Sequence, residues 1–314
     1  MIPEKAKLQP DLFDRSQLEE TPVRNGYGEG LLEAGKRNEN VVALSADLKG
    51  STRAKKFAEE FPERFFNVGV AEQNMATIAS GLGASGKIPF ISSYAAFNPG
   101  RNWEQIRTTI SYNDSNVKIA GHHAGVSTGP DGATHQAIED IATMRVMANM
   151  TVFVPCDFRE ARKATLAAAD IFGPVYIRCA RAETPVFTTE ETPFVPGEAK
   201  TFFEPENEPD VAIVCCGPYT TYNSLEAAKE LAGDIQVTVI NSSTVKPLDD
   251  DKIVEEAERA GAVVSVEEHN VLGGLGSAVS EVLAKRNPVP MEFVGMQDVF
   301  GESGKPEELI EEYG

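Results

Sequence analysis

The chain has 314 residues, 41% of them hydrophobic and 25% charged, which is an ordinary globular composition with enough length for two domains with full cores. Its 29 basic and 48 acidic residues give a net charge of −19, so the overall field repels nucleic acid and anionic membranes, and neither is an expected partner. No apolar run approaches the roughly 20 residues that span a bilayer, and the four cysteines lack C-x-x-C spacing, so we expect a cytoplasmic protein without a signal sequence.

Short, continuously apolar runs recur along the chain and predict strands that are buried on both faces. These runs are 41–44, 117–120, 152–154, 175–177, 211–216, 237–240 and 262–266. Between several of them the pattern is helical, and we predict helices over 75–84, 158–170, 223–232 and 249–260. Strands that alternate with helices indicate an α/β fold with parallel or mixed sheets.

A break in this pattern separates two domains. Between Arg181 and Asp210, proline and threonine residues interrupt any regular element. We predict a linker over 191–207, with one short edge strand at most. The first domain then spans 20–190, the second spans 208–314, and residues 1–19 form an N-terminal arm.

One carboxylate stands in an unusual context. Glu72 follows the run Asn67-Val68-Gly69-Val70-Ala71 and begins the helical pattern that continues to Ala84. A carboxylate among small apolar residues is poorly solvated and needs a proton or a hydrogen-bond donor, which makes Glu72 a candidate for proton transfer. The alternative is an ordinary helix-start glutamate satisfied by the N–H groups of the first turn.

Three of the chain's four histidines fall within the glycine-rich segment 121–136, directly after a predicted strand. Loops that follow strand ends form the ligand crevice of open α/β sheets, and histidine exchanges protons near neutral pH. His122, His123 and His135 with Asp131 could also ligate a metal. Adjacent histidines in an extended segment point to opposite faces, however, so we favour substrate binding and expect no metal held by this chain.

Several motifs follow one another in an order that resembles the C-terminal half of transketolase. They are Gly69-Val-Ala-Glu72-Gln-Asn, the stretch from Phe90 to Phe97, His123-Ala-Gly, Gly129-Pro-Asp131-Gly-Ala-Thr-His135-Gln, Ile177-Arg-Cys-Ala-Arg181 and Phe300-Gly-Glu-Ser-Gly304. The resemblance covers about residues 20–314. It implies two α/β domains, a thiamine-diphosphate pyrimidine-binding domain followed by a transketolase C-terminal domain.

An absence adds to this resemblance. Enzymes that use thiamine diphosphate hold the diphosphate through a divalent metal bound by a Gly-Asp-Gly…Asn motif, and this sequence contains no Gly-Asp-Gly. The resemblance therefore implies one half of a split transketolase, whose N-terminal subunit carries that motif and Mg²⁺ or another divalent metal. We expect a heterotetramer of two plus two chains that transfers a two-carbon ketol unit between sugar phosphates of the pentose phosphate pathway.

The resemblance also implies roles for residues that contact the cofactor. Glu72 hydrogen-bonds the ring nitrogen of the aminopyrimidine and so activates the cofactor. The other implied contacts are Asp47 near the thiazolium and, around the aminopyrimidine, Tyr94, Phe97 and Arg101. Family members usually have a third aromatic residue in this pocket, and here the corresponding position is open between Arg101 and Trp103.

Substrate roles follow from the same resemblance. The positions that match the family's phosphate contacts are Arg24, Ser51, His123 and Arg181. Arginine suits this task because its planar fork binds phosphate through two hydrogen bonds. Asp131 matches the residue that accepts the hydroxyl next to the reacting carbonyl. His135 matches the group that contacts the first-carbon hydroxyl and the carbonyl oxygen, so we count it as catalytic together with Glu72.

Three alternatives remain beside a transketolase subunit. One is 1-deoxyxylulose-5-phosphate synthase, which shares the spacing of Tyr94 and Phe97 but normally carries its own metal motif. Another is the beta subunit of a 2-oxo-acid dehydrogenase, whose equivalent loop lacks the Asp-Gly-x-Thr-His-Gln pattern. The third is an idle scaffold or regulatory subunit, which would not need Glu72 or His135.

Overall fold

The computed structural model describes residues 1–313, and the strands within them form two sheets. In chain order the strands are β1 Val41–Ser45, β2 Phe65–Asn67, β3 Ile88–Tyr94, β4 Lys118–His122, β5 Thr151–Phe153, β6 Val175–Cys179, β7 Lys200–Phe203, β8 Val211–Cys216, β9 Val237–Asn241, β10 Thr244–Lys246, β11 Val263–Asn270 and β12 Met291–Met296. The main helices are α1 Val23–Arg37, α2 Lys55–Glu60, α3 Glu72–Ala84, α4 Trp103–Gln105, α5 Asp140–Arg145, α6 Phe158–Asp170, α7 Pro218–Leu231, α8 Asp250–Ala260, α9 Leu275–Arg286 and α10 Pro306–Glu312. A π-helical turn, Ile106–Ser111, continues α4, and a 3-10 helix spans Val126–Asp131.

The first sheet has seven strands in the order β10-β5-β6-β4-β3-β1-β2. Its strands pair in parallel except at β10, which runs antiparallel to β5. All of the residues of β1, β4 and β6 are buried, as continuous apolar runs in a covered parallel sheet predict. The carboxyl ends of the parallel strands meet at one edge of the sheet, where the loops that follow them can form a site.

The second sheet has five strands in the order β12-β11-β8-β9-β7. Only β7 is antiparallel to its neighbour, β9. One apolar cluster contains side chains from α3 and the first sheet as well as from α8 and α9 beside the second sheet. The two domains therefore share a continuous core.

The predicted fold class is confirmed. Every apolar run named above contributes to a strand, and the four predicted helices correspond to α3, α6, α7 and α8. Both sheets are mixed, with one antiparallel strand each. The predicted elements do not include α1, α2, α4, α5, α9, α10, β2, β3, β10 or β12.

Two strands, β7 and β10, connect the two domains. The segment predicted as a linker contains β7, an edge strand of the second sheet, while β10 leaves the second domain and pairs with β5 at the edge of the first sheet. The N-terminal arm packs on this junction: Leu12 is fully buried and its carbonyl accepts a hydrogen bond from Tyr222 Oη at 3.0 Å.

Helices α1 and α6 pack unusually closely on one face of the first sheet. A Cβ added to Gly26 would lie 2.0 Å from the carbonyl oxygen of Phe158, and one added to Gly30 would lie 2.7 Å from Cβ of Thr165. Glycine lowers helix propensity, yet here it permits the contact that positions α1 and its Arg24. Among the described residues, no helix has the length and apolar character needed to cross a bilayer.

Candidate active site

Most of the predicted site residues gather at the carboxyl edge of the first sheet. Tyr94 is the last residue of β3, His123 follows β4 directly, and Arg181 follows β6. Glu72 opens α3 in the connection between β2 and β3. The edge of a parallel sheet thus brings together side chains that lie far apart in the chain.

Glu72 is the buried acid of this cluster, with 1% of its surface exposed. Its Oε1 accepts a hydrogen bond from Ser93 Oγ at 3.2 Å, and its Oε2 accepts one from Arg101 Nη1 at 2.7 Å. Asn102 Nδ2 donates to the Glu72 backbone carbonyl at 3.1 Å. The carboxylate is therefore held by side chains from β3 and from the segment before α4, and not by the N–H groups of its own first turn.

An aromatic cluster lies beside this carboxylate. The rings of Tyr94 and Phe97 are 6.0 Å apart between centroids and nearly parallel, at 19°. His123 stacks on Tyr94 at 3.8 Å, and His135 meets the Phe97 ring edge-on at 5.4 Å. Flat rings at these separations and angles form a pocket wall suited to a planar heterocycle.

Arg101 and Trp103 are the two candidates for the position of the third aromatic residue. The Arg101 guanidinium lies 4.5 Å from the Phe97 ring centroid while it donates to Glu72. Trp103 instead packs against the hydrophobic core and donates from Nε1 to the Thr143 carbonyl at 3.1 Å. Of the two residues, only Arg101 contacts the pocket formed by Glu72 and Phe97.

A basic group adjoins the aromatic cluster. Arg24 Nη1 lies 3.3 Å from His123 Nε2 and donates to the Ser51 carbonyl at 3.2 Å. Burial, with the nearby charges of Arg53 and Arg181, lowers the pKa of Arg24 to about 10. Burial, with the charges of Arg24 and Arg181, also lowers the pKa of His123 to about 3, so His123 is neutral at pH 7. Cations that converge here and lower the pKa values of Arg24 and His123 make a local site for an anion despite the acidic chain.

Two buried nitrogens of this group are unpaired in residues 1–313. They are Arg24 Nε and His123 Nδ1. Buried polar atoms are rarely left without a partner, and an exception often marks the place of a ligand or water. Both ring nitrogens of the neighbouring His122 are also unpaired among these residues. That ring packs edge-on against Tyr27 at 4.8 Å, so the two adjacent histidines face different surroundings.

The remaining predicted residues lie at the margin. Asp47 is exposed and accepts from Asn67 Nδ2 at 3.1 Å. Asp131 is exposed at the end of the 3-10 helix. No hydrogen bond or ion pair between described residues joins either carboxylate to the central group, in contrast to His135, which contacts both aromatic rings.

The sequence patterns did not indicate three polar residues of the site: Ser93, Asn102 and Gln136. Ser93 and Asn102 donate to Glu72, and Gln136, which follows His135 in the chain, is buried and donates to three carbonyls. Polar residues inside the apolar β3 pattern were the one signal that could have indicated Ser93. Within residues 1–313, no three His, Cys, Asp or Glu side chains converge as a metal site.

Comparison with known proteins identifies this architecture. The family model described as the transketolase pyrimidine binding domain matches residues 19–186, and that of the transketolase C-terminal domain matches residues 201–314. The chain belongs to the transketolase family. A solved structure described as "split gene transketolase, inactive beta4 tetramer" is 48% identical, covers 93% of each chain and superposes with a TM-score of 0.86.

Two curated transketolase subunits are also similar over nearly their whole length. A 6-deoxy-6-sulfo-D-fructose transketolase subunit from Clostridium sp. is 40% identical, and the match covers 95% of this chain and 92% of that subunit. One of the subunits of an apulose-4-phosphate transketolase from Phocaeicola vulgatus is 36% identical over 93% of this chain and 92% of its own. This transketolase-family chain thus resembles proteins that are themselves named as subunits.

Proposed function

We propose that the chain is the C-terminal subunit of a cytoplasmic, two-chain transketolase that uses thiamine diphosphate. In this proposal it transfers a two-carbon ketol unit from a ketose phosphate to an aldose phosphate. The observation that carries the proposal is the buried carboxylate of Glu72 beside the parallel rings of Tyr94 and Phe97.

The residues present fit the aminopyrimidine end of that cofactor. The Arg101 guanidinium, a flat N–H donor, already lies against Phe97 and donates to Glu72 Oε2 at 2.7 Å. A flat heterocycle with a ring N–H could make the same two contacts if the Arg101 guanidinium moved aside. Glu72, Tyr94, Phe97 and Arg101 would hold it, with Asp47 toward the thiazolium. The chemistry that thiamine diphosphate supplies when bound is an electron sink for making and breaking a carbon–carbon bond.

Each residue of the chain then has a defined task. Glu72 would hold and move a proton at Oε2, and Ser93 would keep the carboxylate in place. Tyr94 and Phe97 would exclude water and orient the ring by stacking. His135, half-buried beside both rings, would donate a hydrogen bond to the substrate's carbonyl oxygen.

The basic group supports an acidic, phosphorylated substrate. Arg24, Ser51, His123 and Arg181 would bind the terminal phosphate, which would give partners to the unpaired nitrogens of Arg24 and His123. Asp131 would accept a substrate hydroxyl. The names of the two curated relatives, a sulfo-sugar and a sugar-phosphate transketolase subunit, agree with an anionic sugar.

A partner subunit completes the proposal. An N-terminal transketolase subunit with the Gly-Asp-Gly…Asn motif would hold Mg²⁺ or another divalent metal and the diphosphate, in a heterotetramer of two plus two chains. The inactive state named for the beta4 tetramer supports this need for a second chain. The four free, buried cysteines of this chain suit a reducing cytoplasm.

The test is a coupled assay with xylulose 5-phosphate and ribose 5-phosphate, with and without the N-terminal subunit. We expect turnover only in the reconstituted complex. Glu72→Gln should lower turnover by about 10²–10⁴-fold, the range of a lost acid–base step, while the exposed-site control Glu39→Gln should not. Turnover of pyruvate but not of the two sugar phosphates would favour the synthase or dehydrogenase alternatives, and no turnover of any substrate would favour an idle subunit.

A further inference from the structure

Gln136 joins the 3-10 helix Val126–Asp131 to the second domain through the hydrogen bonds of its own side chain. Its side chain is 3% exposed, and Nε2 donates to the carbonyls of Val126 at 3.1 Å, Gly129 at 3.2 Å and Glu302 at 2.8 Å. The first two acceptors lie in the 3-10 helix that leads to Asp131, and the third belongs to the second domain. An amide donates two hydrogens, so one hydrogen is shared between two of these acceptors.

The second domain also holds both ends of the segment 124–138, which we call the substrate loop. Glu268 Oε1 accepts from the Ser127 N–H at 2.6 Å near the start of the loop. The Asn270 N–H donates to the Ile138 carbonyl at 2.8 Å at its end. Arg178 of β6 donates from Nη2 to the Ala137 and Glu268 carbonyls, which links the two attachments.

Close backbone approach fixes the middle of the loop. A Cβ added to Gly132 would lie 2.6 Å from Ser303 Oγ, and one added to Gly129 would lie 3.2 Å from the Gly304 carbonyl oxygen. On the other side of the contact, a Cβ at Gly301 would lie 2.3 Å from Gln136 Oε1. With glycine on both sides, segment 301–304 lies directly against the substrate loop.

We propose that Gln136 is a positioning residue, through which the second domain sets the placement of His135 against Tyr94 and Phe97. The inference rests on the proposed function for its kinetic part only. His135 is the preceding residue in the chain, and its N–H donates to the Gly132 carbonyl at 2.9 Å inside the same loop. A shift of the loop would therefore move His135 relative to both rings, whereas Glu72 and its partners lie outside the loop.

The test compares Gln136→Glu, Gln136→Met and the matched control Gln297→Glu. Gln136→Glu replaces the donor with a carboxyl that faces three carbonyl oxygens, and Gln136→Met removes the donor without adding charge, which provides a second variant if the first does not fold. Gln297 is exposed and also donates from Nε2 to two carbonyls, those of Phe293 and Gly295, so its substitution reports the same change outside the substrate loop.

Two readouts separate this inference from the proposed function. The first is the NMR signal of the His135 ring in the full chain, which is simple to assign because the chain has four histidines. We expect the signal to shift or split in either Gln136 variant and to stay in place in Gln297→Glu. The second is the reaction of the reconstituted complex, where displacement of an oriented group lowers the turnover number by about 10–100-fold with little change in cofactor affinity.

The outcomes are decisive in either direction. An unchanged His135 signal in a folded Gln136 variant overturns the positioning role. A shifted signal with unchanged turnover supports the positioning role but contradicts the proposed catalytic role of His135. An equal loss of turnover and of cofactor affinity overturns the inference, because it would show a general loss of structure and not a displaced loop.

Discussion

The ion pair between Arg101 and Glu72 provides the most direct stability test of the site. Glu72 is 1% exposed, whereas the Arg101 side chain is 47% exposed, so one partner is desolvated and the other is not. Arg101→Met removes the N–H donor at 2.7 Å from Glu72 Oε2 and keeps an apolar stem to cover Phe97. The buried carboxylate then retains only Ser93 as a side-chain donor among the described residues.

The expected loss of unfolding free energy lies between two limits. A hydrogen bond to a charged group contributes about 1.5–3 kcal/mol, and an exposed ion pair contributes about 0.2–1 kcal/mol. Because the arginine is half-exposed, we expect Arg101→Met to cost about 1–2 kcal/mol. In a Glu72→Gln background the same substitution should cost less than about 0.5 kcal/mol, since no buried charge is left unpaired.

Urea unfolding of the cofactor-free chain measures these values. Trp103 is the chain's single tryptophan and lies two residues from Arg101, so its fluorescence reports locally, and circular dichroism should give the same midpoint if unfolding is cooperative. Arg107, exposed in the π-helical turn, provides the control variant Arg107→Met. Equal losses for the two arginines, or a cost for Arg101→Met that persists beside Glu72→Gln, would refute a stabilising pair.

Three further predictions concern binding and packing. Arg24→Ala or Arg181→Ala should raise the Michaelis constant for phosphorylated sugars about ten- to a hundredfold. The kinetics with glycolaldehyde as acceptor, which carries no phosphate, should hardly change. Equal effects on both acceptors would contradict a phosphate contact. Inorganic phosphate should raise the pKa of His123 from its value of about 3, because an anion favours the protonated ring, and an NMR titration that shows no rise would place the phosphate elsewhere. Gly26→Ala should lower the free energy of unfolding by about 1–3 kcal/mol, because the added Cβ would meet the Phe158 carbonyl. Gly81→Ala, which has no atom within 4 Å of its added Cβ, should stabilise α3 by about 0.5–1 kcal/mol in denaturant unfolding. Similar results for the two glycines would contradict this account of the α1–α6 contact.

Sequence patterns predicted the fold well where burial follows a local period. The apolar runs that became β1, β4 and β8 are buried on both faces, and such runs are visible without knowledge of the neighbours. Helix α1 was not predicted because Gly26, Gly28 and Gly30 disfavour a helix locally. The reason for these glycines lies in α6 and Arg53, which are distant in the chain.

The site shows the same division between local and long-range information. The poor solvation expected for Glu72 could be argued from its apolar neighbours. Its two side-chain donors, Ser93 and Arg101, are 21 and 29 positions away, and no local pattern identifies which polar residues meet across a fold. The roles of Arg24 and Arg181 came from the resemblance, and the structure adds that their charges act on His123.

The pairing of β10, a strand from the second domain, with β5 of the first sheet has a consequence for biosynthesis. A nascent chain that has emerged only as far as residue 200 contains β1 to β6 but cannot cover the outer edge of β5, because its partner strand, Thr244–Lys246, has not yet been translated. An uncovered edge of this kind can pair with strands of other chains. The ribosome must therefore release about 90 residues after β5 before β10 can join the first sheet. This sheet gains its seventh strand only after β8 and β9 of the second domain have been made.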